Sequence, residues 1–293
     1  MVQGVQTVVP KTPEGRSAAA TLLPATLVAQ SNPLHRSANG ILYTGYGENN
    51  LPAADLDRMV QAVPATIAAA LGRKAYYFVP LTLAERAASG GLDAFSEGQT
   101  MVASDYSAEL SDQAICHRNV SLETIDAGLE GVFISTRLLG DRFALAFEFF
   151  INVGHAFVDS IGVPPRFADL VWSQARTGVR GETSQDAWEN RNLALPSGKP
   201  VDTLVDEGNP GPDPNRAPGG APSDPKAGFF ESAFSDAVAI YQLSLAVDFD
   251  YAELREREYP LLAPNALADR LRLVAQLFPA NPDYEFAIRY RRR

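Results

Sequence analysis

At 293 residues and 46% apolar composition, the chain is long and greasy enough to build one large domain or two lobes, which excludes an intrinsically disordered protein. Thirty-five acidic against 25 basic residues leave a net charge of −10, which excludes a nucleic-acid binder working through a broad basic face. The single cysteine, Cys116, excludes an intrachain disulfide framework or a cysteine-based zinc cluster, and three histidines (His35, His117, His155) argue against a histidine-rich metal site. No run of about 18 apolar residues predicts a membrane span. No charged stretch followed by an apolar one marks a secretory signal, so the expected address is cytoplasmic.

Residues 1–40 scatter Pro, Ala, Thr and Ser without a period and predict an extended arm, with Thr21–Val28 as an apolar docking segment. Ile41–Tyr46 predicts a short strand running into a Gly- and Asn-rich turn. Over Pro52–Leu71, the residues Leu56, Met59, Val60, Val63, Ile67 and Leu71 recur at three and four, which predicts a helix kinked at Pro64 and stopped at Gly72. Ala75–Leu83, Thr100–Ser104, Gln113–Val120 and Leu129–Thr136 predict strands. Residues 41–140 therefore form a sheet-rich lobe with a helix packed on it.

Residues 141–293 predict a helical lobe. Arg142–Ser160 is the strongest helix of the chain, with Asp141 as its N-cap and Gly162 and Pro164-Pro165 ending it. Helices follow over Arg166–Thr177, Phe229–Val247 and Asn265–Leu277. Between them, residues 195–228 hold eight prolines and no apolar period, a loop long enough to be functional or disordered. The expected class is α+β, in one domain over 41–293.

The chemistry concentrates on the helix around His155. Glu148, Asn152, His155 and Asp159 lie at i, i+4, i+7 and i+11, which predicts one polar stripe on an apolar helix. Its core reads Phe149-Phe-Ile-Asn-Val-Gly-His-Ala-Phe-Val-Asp159, and the later helix reads Phe229-Phe-Glu-Ser-Ala-Phe-Ser-Asp-Ala-Val-Ala-Ile-Tyr241. Over residues 129–278 this pair resembles the gluzincins, the thermolysin-like zinc metallopeptidases. Gly154-His155-Ala156-Phe157 and Asp159 look like the second half of H-E-x-G-H-A-h-x-D. The second helix is similar to the bacterial pattern HEAFADIVALF.

The resemblance implies a zincin-like fold with His155 at the second zinc-ligand position and Asp236 as the Asp that supports a ligand histidine. It also places Ile151 at the first ligand, Asn152 at the general base and Ser232 at the glutamate ligand. Each of these three departs from the family at a reactive position. Ile has no lone pair for a metal, Asn takes no proton from water, and a catalytic zinc needs three protein ligands. The expectation is a catalytically inactive, pseudoenzyme-like member without metal or cofactor. It works as a binding or structural subunit of a larger assembly, its protein partner held by the former cleft, the arm and the long loop. In it His155 bonds Asp236 or Asn152 and joins the two helices.

Two alternatives stand beside it. One is a divergent hydrolase using Glu148, His155 and Glu231. The other is a structural α+β subunit unrelated to peptidases. Weaker signals are the acidic run Asp202, Asp206, Glu207 and Asp213, whose spacing does not match an EF-hand loop, and the basic tail over residues 289–293. Cys116 and His117 are adjacent in a predicted strand, so their side chains point to opposite faces and form no catalytic pair. No nucleophile elbow, P-loop or dinucleotide fingerprint is present.

Overall fold

The computed structural model describes residues 21–48, 51–84, 100–111, 116–123, 125–136, 141–195, 224–254 and 259–288. In chain order the first half holds β1 (Leu22–Pro24), α1 (Ala25–Ser31), β2 (His35–Arg36), β3 (Leu42–Gly45), α2 (Ala53–Gln61) and α3 (Ala65–Ala70). It continues with β4 (Lys74–Val79), β5 (Leu81–Ala84), β6 (Thr100–Ala103), α4 (Ala108–Ser111), β7 (His117–Ser121) and β8 (Glu130–Ser135). The second half is helical: α5 (Arg142–Ile161), α6 (Pro165–Arg176), α7 (Gln185–Ala194), α8 (Pro225–Ala246) and α9 (Pro264–Leu277). The α+β class and the division into a sheet-bearing first half and a helical second half follow the sequence expectation.

A five-stranded sheet in the order β2-β3-β4-β8-β7 carries the first half. Its centre, β3-β4-β8, is parallel, and both outer strands run antiparallel to their neighbours. Parallel strands covered on both faces read as continuous apolar runs, and Ala75–Val79 of β4 are all buried. Tyr76 and Phe78 face the layer that contains α5, while Ala75, Tyr77 and Val79 face a second core.

Two predicted elements are divided by proline. The helix expected over Pro52–Leu71 becomes α2 and α3, because Pro64 has no N–H to donate and its ring clashes with the preceding turn. The strand expected over Ala75–Leu83 ends before Pro80. β5 leaves the five-stranded sheet there and pairs with β6 in a three-stranded sheet, β1-β6-β5.

The arm over residues 1–40 is corrected in its second half. β1 pairs with β6, and α1 buries Ala25, Val28 and Ala29 in the second core with Tyr77 and Phe133. Thr21–Val28 does dock, but on its own chain, because the back of the sheet is apolar and must be covered. Residues 1–20, the loop residues 196–223 with the acidic run, and the tail 289–293 lie outside the described residues.

In the helical half, α5 is the central element. Asp141 caps it by accepting from the Ala144 N–H at 3.1 Å. It is the one described helix long and apolar enough to cross a bilayer, and half of that stretch is buried inside the fold. Phe149 and Phe150 pack toward the sheet, and Phe157 meets Phe234 and Phe278. α8 crosses α5 very closely at Gly154, where an added Cβ would come within 2.6 Å of the Ser235 carbonyl oxygen. α8 begins at Pro225, four residues before the predicted start, with Asp224 as its N-cap.

Candidate functional site

The close crossing of α5 and α8 leaves a cavity of about 170 Å³ beside it. α5 contributes Phe147, Ile151 and His155, and α8 contributes Ser232, Asp236 and Ile240. Each set is spaced at four residues, so each is one stripe of its helix. The remaining wall is Thr183–Asp186, at the start of α7, with Leu254 and Tyr259.

That wall is fixed from behind by a buried ion cluster. The Glu182 carboxylate accepts from Arg270 at 2.7 and 3.2 Å and from Arg191 at 3.3 Å, and Glu182 and Arg270 have no exposed surface. Arg270 also donates to Gln174 Oε1 at 2.8 Å, and Arg191 to the carbonyls of Gly181 and Val179. The backbone of Glu182 bonds to Pro260 and Leu262 on either side of their segment. Gly181 is required for this approach: its φ is +79°, and a Cβ there would sit 2.0 Å from the Leu261 oxygen. A buried pair holds when its geometry is good and its remaining donors are engaged, which Arg270 meets through Gln174, while the Arg191 Nε is buried without a hydrogen-bond partner.

Thr183, next to Glu182, donates its hydroxyl to Asp236 Oδ2 at 2.7 Å. Ser184 caps α7 by accepting from the Ala187 N–H at 3.1 Å and also hydrogen-bonds Asp236 with its side chain. Burial pushes the Asp236 carboxyl up to about 7. The hydroxyl bonds from Ser184 and Thr183 oppose the rise, and the charges of Asp186 and Glu182 add to it. Tyr259 donates its hydroxyl to the Thr183 carbonyl at 3.0 Å, so the wall is tied on both sides.

Four residues singled out in the sequence, Ile151, His155, Ser232 and Asp236, come together at this one cavity. The other four do not. Asn152 is buried and turned away. It accepts from the Cys116 thiol at 3.3 Å and donates to the Glu148 carbonyl at 2.7 Å and to Glu148 Oε1 at 3.3 Å. Three residues of helix turn a side chain by about 300°, which sets Asn152 roughly 60° from His155. Ile151 and His155 line the cavity, whereas Asn152 meets Cys116 and Glu148.

Asp159 is exposed at the end of α5, beside a separate hollow lined by Arg73, Lys74 and Glu130. Glu231 is exposed and does not line the cavity. A site built from Glu148, His155 and Glu231 is thus not assembled, since His155 alone of the three reaches the cavity. The bonds described for Asn152 run to Glu148 and Cys116.

Ser232 is engaged as both donor and acceptor. It donates to the Gly228 carbonyl at 2.9 Å and accepts from Asn190 Nδ2 at 3.0 Å. With its proton held by Gly228, it is not poised to attack a carbonyl with His155 as base. Among the described residues, no three His, Cys, Asp or Glu side chains form a group able to hold a metal. The donor set at the cavity does not fit a catalytic zinc: Ile151 offers no lone pair, Ser232 is tied to α7, and Asp236 is tied to Thr183.

The sequence reading did not find the wall Thr183–Asp186 or Tyr259. One signal was present: Ser184 precedes a ten-residue helix as its N-cap, three residues after a glycine. The chain matches no protein-family model and no curated protein.

Proposed function

We propose that this chain is a zincin-like protein of gluzincin type whose cleft binds a protein partner and performs no hydrolysis. The observation that carries this reading is the convergence of Ile151, His155, Ser232 and Asp236 on one cavity between α5 and α8. In the gluzincin register these are two zinc-ligand positions on one helix, the third ligand and its supporting Asp on the other. Two short apolar motifs far apart in sequence meet at one cavity in the register the resemblance implies, which supports the reading. The close passage at Gly154 supports the same reading, because it brings the two helices within ligand distance of one another.

The chemistry at these positions argues for binding. The positions of the family's base and third ligand carry no such chemistry: Asn152 faces away and accepts no proton, and Ser232 is engaged by Gly228 and Asn190. A cavity with polar and apolar walls on a fixed scaffold retains the capacity to receive a group from another molecule. The reading is of a subunit that holds a partner at the dismantled cleft.

The test is metal content and hydrolysis of the intact protein. After incubation with zinc and dialysis, the protein is expected to retain far less than one equivalent of metal. It is also expected to cleave no casein or peptide substrate in a chelator-sensitive way. Retention of about one equivalent, together with hydrolysis lost in His155→Ala, would overturn the proposal.

A further inference from the structure

We infer that Asn39 is a deamidation site held shut by the junction of α2 and α3, and that its conversion to aspartate or isoaspartate unlocks that junction. Asn39-Gly40 is the only Asn-Gly pair in the chain. It forms the turn between β2 and β3, and Gly40 sits there at a φ of +98°, which calls for glycine. Glycine also has no Cβ to shield its amide nitrogen, so that nitrogen reaches the preceding side chain more readily than the nitrogen of a larger residue. Neither residue lines the α5–α8 cavity, so the inference is independent of the reading above.

The step needs only water. The Gly40 nitrogen loses its proton to solvent base and attacks the Asn39 Cγ. A C–N bond forms, the Cγ–Nδ2 bond breaks, and the side-chain nitrogen takes up a proton and leaves as ammonia. Water then opens the resulting succinimide at one of its two carbonyls. One opening gives aspartate, and the other gives isoaspartate, in which the main chain runs through the former side chain.

In the fold the site is closed. Asn39 Nδ2 donates to the carbonyls of Val60 at 2.9 Å and Val63 at 2.8 Å, and Oδ1 accepts from the Ser37 hydroxyl and the Ile41 N–H. Bonds at both ends hold the carboxamide against rotation. The nucleophile is held too, because the Gly40 N–H donates to the Ser37 carbonyl at 2.9 Å. Donors on Oδ1 polarise the amide, but the Gly40 nitrogen must first be freed, so the reaction waits on opening of the turn. The two carbonyls lie at the end of α2, just before the break at Pro64. Asn281, from beyond α9, grips the same place. Its Nδ2 donates to the carbonyls of Gln61 at 2.8 Å and Val63 at 2.9 Å, and its Oδ1 accepts from the Ala65 N–H at 2.9 Å.

Conversion reverses the sense of the contact. An ionised aspartate has no donor, so the Val60 and Val63 carbonyls lose theirs and face a carboxylate. Isoaspartate also lengthens the main chain of the turn next to Ile41, a core residue packed with α2 and α3. The modification is irreversible, so a chain that has once opened at this turn does not close again in the same way.

The experiment incubates the full chain in mildly alkaline buffer, with and without denaturing urea. Asn39 is followed by peptide mass spectrometry and by isoaspartyl methyltransferase labelling. In urea it is expected to convert with isoaspartate as the main product, and in native buffer about tenfold or more slowly. Asn281→Ala, which removes the second grip on the junction, is expected to raise the native rate. Asn39→Asp is expected to lower the folding equilibrium constant roughly tenfold, read from the urea midpoint. Conversion as fast in native buffer as in urea, or no conversion in urea, would overturn the inference. A folded Asn281→Ala that converts no faster than the wild type, or an Asn39→Asp chain as stable as the wild type, would overturn it as well.

Discussion

Two acidic side chains on opposite sides of the wall, Glu182 behind it and Asp236 in front of it, are treated in opposite ways. Glu182 is met by two guanidiniums, sealed from solvent and bonded at both backbone groups. Asp236 is met by the hydroxyls of Thr183 and Ser184, feels two further negative charges and borders a cavity. A compensated buried charge fixes structure. A half-buried carboxylate bonded by neutral hydroxyls, beside open space, keeps capacity for another group. The contrast separates the scaffold of the site from the site.

Removing the compensated charge should have the largest effect. Glu182→Gln leaves Arg270 buried without its counter-ion and is expected to lose about 3–5 kcal/mol of stability, read from the urea midpoint. Asp236→Asn should behave with the opposite sign above neutrality. Because the Asp236 carboxyl is raised in the fold to about 7, the folded state holds its proton while the unfolded state has released it. The wild type therefore loses stability as pH rises from about 4 toward 7, by roughly 2–4 kcal/mol at the upper limit. Urea curves at several pH values should show this slope in the wild type and a flatter profile in Asp236→Asn. Equal destabilisation by both variants at pH 8 would erase the distinction between the two acids.

Gly154→Ala sharpens the same comparison from the other side of the cavity. Its Cβ would meet the Ser235 carbonyl oxygen, so α5 and α8 must part, at about 1–3 kcal/mol by thermal unfolding. Smallest of all, Asn190→Ala removes the donor to Ser232 and should lose about 0.5–1.5 kcal/mol. It leaves the ion cluster intact and should not alter the pH profile.

The fold class, the strands of the central sheet and the three long helices were legible because their apolar periods are strong. Pro64 was read as a kink and Pro80 was passed over inside a predicted strand, whereas each divides an element in two. α7 was not legible: Gln185–Ala194 is polar and Leu193 is exposed, so no apolar stripe marks it. Its buried residues are Ala187 and Arg191, the latter held by Glu182, and its bond to α8 comes from Asn190, contacts no local pattern reveals. α1 was missed because seven residues are too few for a period to register.

At the site, the residues on two strongly periodic helices were readable. Ile151, His155, Ser232 and Asp236 meet at the cavity. Asn152 lies on the same side of the helix as His155 by spacing, and spacing alone does not say which neighbour it meets. The presence of Cys116 beside Asn152 decided that. Thr183–Asp186 and Tyr259 reach the cavity through long-range packing, with only the Ser184 cap to announce them.

The central claim is that Ile151, His155 and Ser232 occupy the register of a zinc site from which the ligands have been lost. The most direct measurement is the zinc content of the double variant Ile151→His/Ser232→Glu, alone and combined with His155→Ala, with folding checked by circular dichroism. If the register is right, the double variant retains about one equivalent of zinc through dialysis. The wild type and the His155→Ala combination retain essentially none. A folded double variant that takes up no zinc, or one whose zinc is indifferent to His155, would contradict the account.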